Sequence, residues 1–125
     1  MKDTIQAKTL QFESFARDWL AAWNSHSIDA IMSHYAEGVT VKSPFLAEAV
    51  KGSGGTVTGR ETLRPLYAKA LQKYPKLWFE VIRVLASTES LVIHYKSVEG
   101  LYAAETFLLD EDGKAKLVLC HYATA

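Results

Sequence analysis

Between Leu10 and His26 apolar residues recur at helical spacing. Phe12, Phe15, Ala16, Trp19 and Trp23 share one side, and Glu13, Arg17 and Asp18 lie on the other. This pattern predicts an amphipathic helix that ends near Asn24. Ser27 supplies an N-cap for a second helix, with Asp29 in its first turn and Ile28, Ile31, Met32 and Tyr35 as its apolar face, stopping at Gly38. Val39 and Val41 then alternate with Thr40 and Lys42, so a strand leads into Ser43 and Pro44. Residues 45–59 hold four glycines and no sustained period, which predicts a mobile connection, with a helical turn around Leu46 to Val50, placed to act as a lid. A third helix runs from about Glu61 to Tyr74 on the stripe Leu63, Leu66, Tyr67, Ala70, Leu71 and Tyr74 and is ended by Pro75. Pro65 fits a start at Thr62 better than a start capped by Thr58 with Glu61 as its box partner, and the pattern leaves both open.

After Pro75 the period changes to that of strands: LWFEVIRVLA, SLVIHYKSV, LYAAETFLL and AKLVLCHYA. The separators STES, EG and DEDGK are turn chemistry, so the four runs predict a meander of antiparallel hairpins. Helices first and a sheet afterwards define an α+β domain. In the last run both parities are apolar, Leu117 and Leu119 on one face and Val118, Cys120 and Tyr122 on the other. A sheet apolar on both faces needs cover on both, and helices on one side leave the other for a second copy of the chain, so a homodimer through the outer sheet face is expected.

A chain of 125 residues with 49% hydrophobic residues is the size of one domain, residues 1–125. Lys+Arg and Asp+Glu both number 14 and are interspersed, which leaves no bulk field for nucleic acid or an anionic membrane. The opening MKDTIQAKTLQ lacks the apolar run of a signal peptide, and no later stretch approaches a membrane span, so a cytoplasmic protein is expected. The single cysteine, Cys120, fits a reducing compartment. KGSGGTVTG is not followed by GK[ST] and fails as a phosphate loop.

The segments WLAAWNSHSIDAIMSHYAEGVTVKSP, TGRETLRPLYA and AETFLLDEDGK, taken in that order, resemble the fold shared by nuclear transport factor 2, the ketosteroid isomerases and the SnoaL-type polyketide cyclases. The carrying pattern is N-x-x-x-[IL]-D, an apolar helix, Y-A, V-x-V and a proline, then G-x-x-x-L-R-x-L-Y. The resemblance implies three N-terminal helices packed on a curved, mixed, mostly antiparallel sheet that together enclose a cone-shaped apolar pocket. It does not imply one reaction, because this fold hosts many.

Against that family Ser43 is informative. The steroid isomerases read V-E-D-P, with a proton-shuttling carboxylate before the proline, and this chain reads V-K-S-P. A serine hydroxyl without a neighbouring base cannot take a proton from carbon, so steroid isomerisation is disfavoured and Ser43 is expected to be a wall residue bonding the turn. Trp19 answers to the isomerase tyrosine that donates to the oxyanion, and Glu105 to the late-strand acid.

Glu105 shares strand parity with Leu101, Ala103, Phe107 and Leu109, an apolar face on which a carboxyl is desolvated and its pKa raised. Its structural alternative is pairing with Arg83, Arg64 or a tyrosine hydroxyl. His121, with parity partners Leu117 and Leu119, is the candidate general base beside Glu105. Trp19, Tyr35, Ser43, Tyr67, Ala103 and Phe107 are the expected pocket lining. His94, His121 and Glu105 make a minor metal reading that no spacing supports, and neither metal nor cofactor is expected. The expected ligand is a small apolar or aromatic molecule handled by isomerisation, cyclisation or hydration. The competing expectation is a binding or interaction module whose cone is filled by its own aromatics.

Overall fold

The computed structural model describes residues 1–125. Four α-helices, α1 (Lys2–Ser25), α2 (Ile28–Met32), α3 (Pro44–Ala49) and α4 (Arg60–Lys73), lie against six strands, β1 (Tyr35–Lys42), β2 (Thr56–Thr58), β3 (Glu80–Ala86), β4 (Ser90–Lys96), β5 (Tyr102–Leu109) and β6 (Ala115–Ala123). The strands form one sheet in the order β2-β1-β6-β5-β4-β3. Strands β3 to β6 are the expected antiparallel meander, and β1 joins it parallel to β6. The fold is therefore the mixed, mostly antiparallel α+β architecture. No helix is long and apolar enough to cross a membrane.

Several boundaries differ from the sequence pattern. Helix α1 begins at Lys2 because its first turns, although exposed and without an apolar stripe, are built from good helix formers. Tyr35 starts β1 rather than ending α2. The His34 carbonyl accepts the Ala115 N–H at 2.8 Å, and Tyr35 pairs with Ala115, so β6 draws this segment into the sheet. The run LWFEVIRVLA becomes a strand only from Glu80; Leu77 and Phe79 pack inward while Trp78 is 70% exposed.

The predicted mobile lid is ordered. Ser43 caps α3, its hydroxyl oxygen accepting the Phe45 N–H at 3.2 Å, and its own N–H donates to the Gly55 carbonyl at 2.9 Å. Strand β2 then pairs with β1 from Thr56 to Thr58. Gly55 has φ +88°, and a Cβ there would stand 2.7 Å from the Ser43 carbonyl oxygen, so this approach requires glycine. Neither anticipated start of α4 is used: Gly59 at φ 99° precedes it, and Pro65 lies inside the helix.

The core fills the space between α1 and the inner sheet face. Trp19 is 1% exposed, stacks on Phe79 at 5.8 Å between centroids, and meets Tyr95 and Phe107 edge-on at 5.2 and 5.4 Å. Its indole N–H donates to the Tyr35 hydroxyl at 3.1 Å, which satisfies a polar group that burial would otherwise penalise.

Candidate functional site

The antiparallel registers decide which side chains face the cone. Ile93 pairs with Glu105, and Glu105 pairs with Cys120, so these three point inward together with Leu91, Tyr95, Ala103, Phe107, Val118 and Tyr122. The opposite parity faces out. His94 and His121 both pair with Ala104, and His121 is exposed, its Nδ1 lying 3.2 Å from the Ala104 carbonyl oxygen. His121 does share parity with Leu117 and Leu119, but theirs is the outer face. The expectation that it stands beside Glu105 is therefore corrected, and the grouping of His94, His121 and Glu105 is divided between two faces. No three His, Cys, Asp or Glu side chains converge in a way that would hold a metal ion.

The inner cavity has a volume of about 60 Å³. Its apolar wall includes Trp23, Phe45, Leu77, Phe79 and Val98. Ser43, Tyr67, Tyr95, Glu105, Cys120 and Tyr122 give it polar atoms. Of the expected lining, Ser43 and Tyr67 reach this cavity. Trp19, Tyr35, Ala103 and Phe107 do not: they are packed into the core, each no more than 1% exposed, and the aromatics among them occupy the cone behind the cavity.

Glu105 is 5% exposed. The Tyr95 hydroxyl donates to its Oε1, the third of the structural partners weighed from sequence. Arg64 is engaged on the surface with Asp29 instead, and exposed Arg83 lies outward opposite His94. Burial in this apolar site pushes the Glu105 carboxyl up to about 7, and hydrogen bonds from Tyr95 and Cys120 partly oppose the rise. The same burial holds the Tyr95, Tyr67 and Cys120 protons well above their ordinary range, with the Glu105 charge adding to it. Glu105 is thus the acid of the cavity raised to near neutrality, while burial keeps Tyr95, Tyr67 and Cys120 protonated.

One further buried donor lacks a well-formed hydrogen bond. Trp23 Nε1 is buried without a hydrogen bond of good geometry, the Tyr35 hydroxyl being the group it approaches. Tyr67, 7% exposed, meets the Trp23 ring edge-on at 4.9 Å and lines the cavity. Sequence reading missed Tyr95, Cys120, Tyr122 and Trp23 as site residues. The signal was present in the parity of Tyr95 with Leu91 and Ile93, and of Cys120 and Tyr122 with Val118.

With the cone, its inward row and its cavity in place, the chain belongs to the SnoaL-like domain family, whose pattern it matches over residues 16–114. A SnoaL-like protein of unknown function from Burkholderia thailandensis is 38% identical, with 89% of this chain and 92% of that one covered and a TM-score of 0.85. An NTF-2 like protein of unknown function from Burkholderia xenovorans is 17% identical, covering 94% of this chain and 87% of that one with a TM-score of 0.73. A protein from Kribbella flavida given as a candidate ketosteroid isomerase is 20% identical, covering 94% and 82% with a TM-score of 0.68. The last two likenesses concern the fold alone. No curated protein matches the chain.

Proposed function

We propose that this SnoaL-like domain binds a small, largely apolar carbonyl compound in its inner cavity and moves a proton on it through Glu105. The observation that carries this reading is a buried carboxyl, raised to about 7, in a mostly apolar cavity that Trp23 and Tyr67 also line. A carboxyl poised near neutral pH takes or gives a proton readily. The Trp23 N–H and the Tyr67 hydroxyl suit a carbonyl oxygen and the negative charge it gains when an adjacent carbon is deprotonated. No Lys, Arg or His lines the cavity, so a permanent anion seated there would meet no countercharge. Isomerisation, cyclisation and hydration all use such a proton transfer.

The test is exchange of the α-protons of cyclopentanone in D2O, followed by proton NMR. The wild-type protein is expected to accelerate exchange over buffer, and Glu105→Gln to lower that acceleration by about 10²-fold. Exchange no faster than buffer would count against catalysis on carbonyl substrates. A second reading, a binding module without catalysis, is favoured by one observation: the cavity holds only about 60 Å³, room for roughly four or five waters. It predicts binding of the same ketone without exchange.

The partner we propose for the outer sheet face is a second copy of the chain. Leu85 is 48% exposed there, and Val92, Leu108, Leu117 and Leu119 are half-buried with no helix over them. Strands of seven to nine residues across β3 to β6 give a face on the order of 500 Å² before side-chain corrugation. That approaches the roughly 800 Å² that each partner of a stable complex buries.

A further inference from the structure

A second concavity adjoins the inner cavity at its mouth. This groove, about 350 Å³, runs between the end of α4 and the turn Val98–Gly100. Tyr74, Leu77, Ser97 and Val98 line both spaces, so one layer of side chains separates them. That layer is tied by the Tyr74 hydroxyl, which donates to the Glu99 carboxylate across the gap between helix and turn. Glu99 takes φ 57°, a left-handed conformation that disfavours a residue with a Cβ. The turn itself is closed by backbone bonds, from the Ser97 N–H to the Leu101 carbonyl at 2.8 Å and from the Leu101 N–H to the Val98 carbonyl at 3.0 Å, so the Tyr74–Glu99 tie to α4 can part by side-chain rotation while the turn holds.

The groove has a chemistry of its own. Trp78 lies in it at 70% exposure, a large flat apolar surface that nothing in the fold covers. Lys73 and Lys76 flank it, and neither has a carboxylate partner, the ion pairs of the chain being Arg64–Asp29 and Lys96–Glu80. Lys73 Nζ sits 5.4 Å from the centre of the Tyr74 ring, and Glu99, whose carboxylate accepts from Tyr74 and keeps its charge, is the one acid of the groove against the two lysines. A planar face beside two unpaired cations complements a flat ring that carries an anionic group.

We propose that this groove is the outer half of the ligand site, with the Tyr74–Glu99 bond as the gate between the halves. The ligand it selects is an elongated aromatic carboxylate: the ring lies on Trp78, the carboxylate faces Lys73 and Lys76, and the uncharged end passes the gate toward Glu105. With the gate open the two spaces join into a pocket within the ~300–1,000 Å³ usual for small-molecule sites. The proposal rests on reading the inner cavity as a ligand site, and the indole signals of Trp78 and Trp23 report the two halves separately.

The experiment titrates the ¹⁵N-labelled full chain with 2-naphthoate and with its neutral isostere 2-naphthamide, following both indole N–H signals. Naphthoate is expected to move both, and Trp78→Ala to weaken its binding about tenfold. Lys73→Gln with Lys76→Gln should weaken it about threefold and remove its salt dependence. All three side chains are on the surface, so folding is retained. Naphthamide binding as tightly as naphthoate, or Trp78→Ala binding as well as wild type, overturns the proposal. Movement of Trp23 with a still Trp78 also overturns the groove but spares the cavity. Movement of Trp78 with a still Trp23 supports the groove as a site and counts against the cavity.

Discussion

Glu105 makes the stability of this domain fall as pH rises. Its carboxyl sits at about 7 in the folded chain against an ordinary 4.5. Below the lower value both states hold the proton and the difference vanishes. Between the two the unfolded chain ionises while the folded chain cannot, and above the upper value the folded state carries a buried charge. The full difference amounts to about 3 kcal/mol. The melting temperature of the wild type is therefore expected to fall by on the order of 10 °C from about pH 5 to about pH 8, and that of Glu105→Gln to stay nearly level. Equal slopes in a calorimetric pH series would remove Glu105 as the cause. Tyr95→Phe takes away a donor that favours the ionised form. It should move the carboxyl higher, so that the fall still begins near the ordinary carboxylate value but extends to higher pH and deepens, a change that carbon NMR of the labelled glutamate detects.

Among the elements, the Ser43–Gly55 contact makes the sharpest claim. Alanine at Gly55 would combine a positive φ with a Cβ at 2.7 Å from a carbonyl oxygen. Gly55→Ala is expected to destabilise the chain by about 1–3 kcal/mol in urea unfolding, against a few tenths for alanine at exposed Gly38, whose Cβ would meet nothing within 4 Å. Element types were legible because the periods differ: the stripe of α1 and the alternation of β4 to β6 come from burying one face each. What stayed hidden depended on partners distant in sequence. Tyr35 is apolar and fully buried on a helix face or a strand alike, and only its pairing with Ala115 decides which. Parity grouped His121 with Leu117 and Leu119 but could not say which face the helices cover. Glu105 was legible because an acid in an apolar row stands out, whereas Cys120 and Tyr122 blend into such a row.

At the scale of the molecule, the outer sheet face and the inner cavity make independent predictions. If a second copy covers the outer face, Leu85→Glu combined with Leu119→Glu should convert a dimer to a monomer in sedimentation, with the far-ultraviolet circular dichroism unchanged. A wild-type monomer at high concentration would refute that cover. The cavity and the core aromatics behind it share one side of the sheet, so the space for a ligand is what Trp19, Tyr35 and Phe107 leave unfilled. That division explains why the family fold was readable while of the lining only Ser43, Tyr67 and Glu105 were: aromatic residues suit a pocket wall and a packed core equally well. The most direct measurement is the titration of the Glu105 side-chain carboxyl by carbon NMR, assigned with Glu105→Gln. A midpoint near 7 is predicted, and a midpoint in the ordinary carboxylate range around 4.5 would contradict the reading of Glu105 as the proton-carrying group of this site.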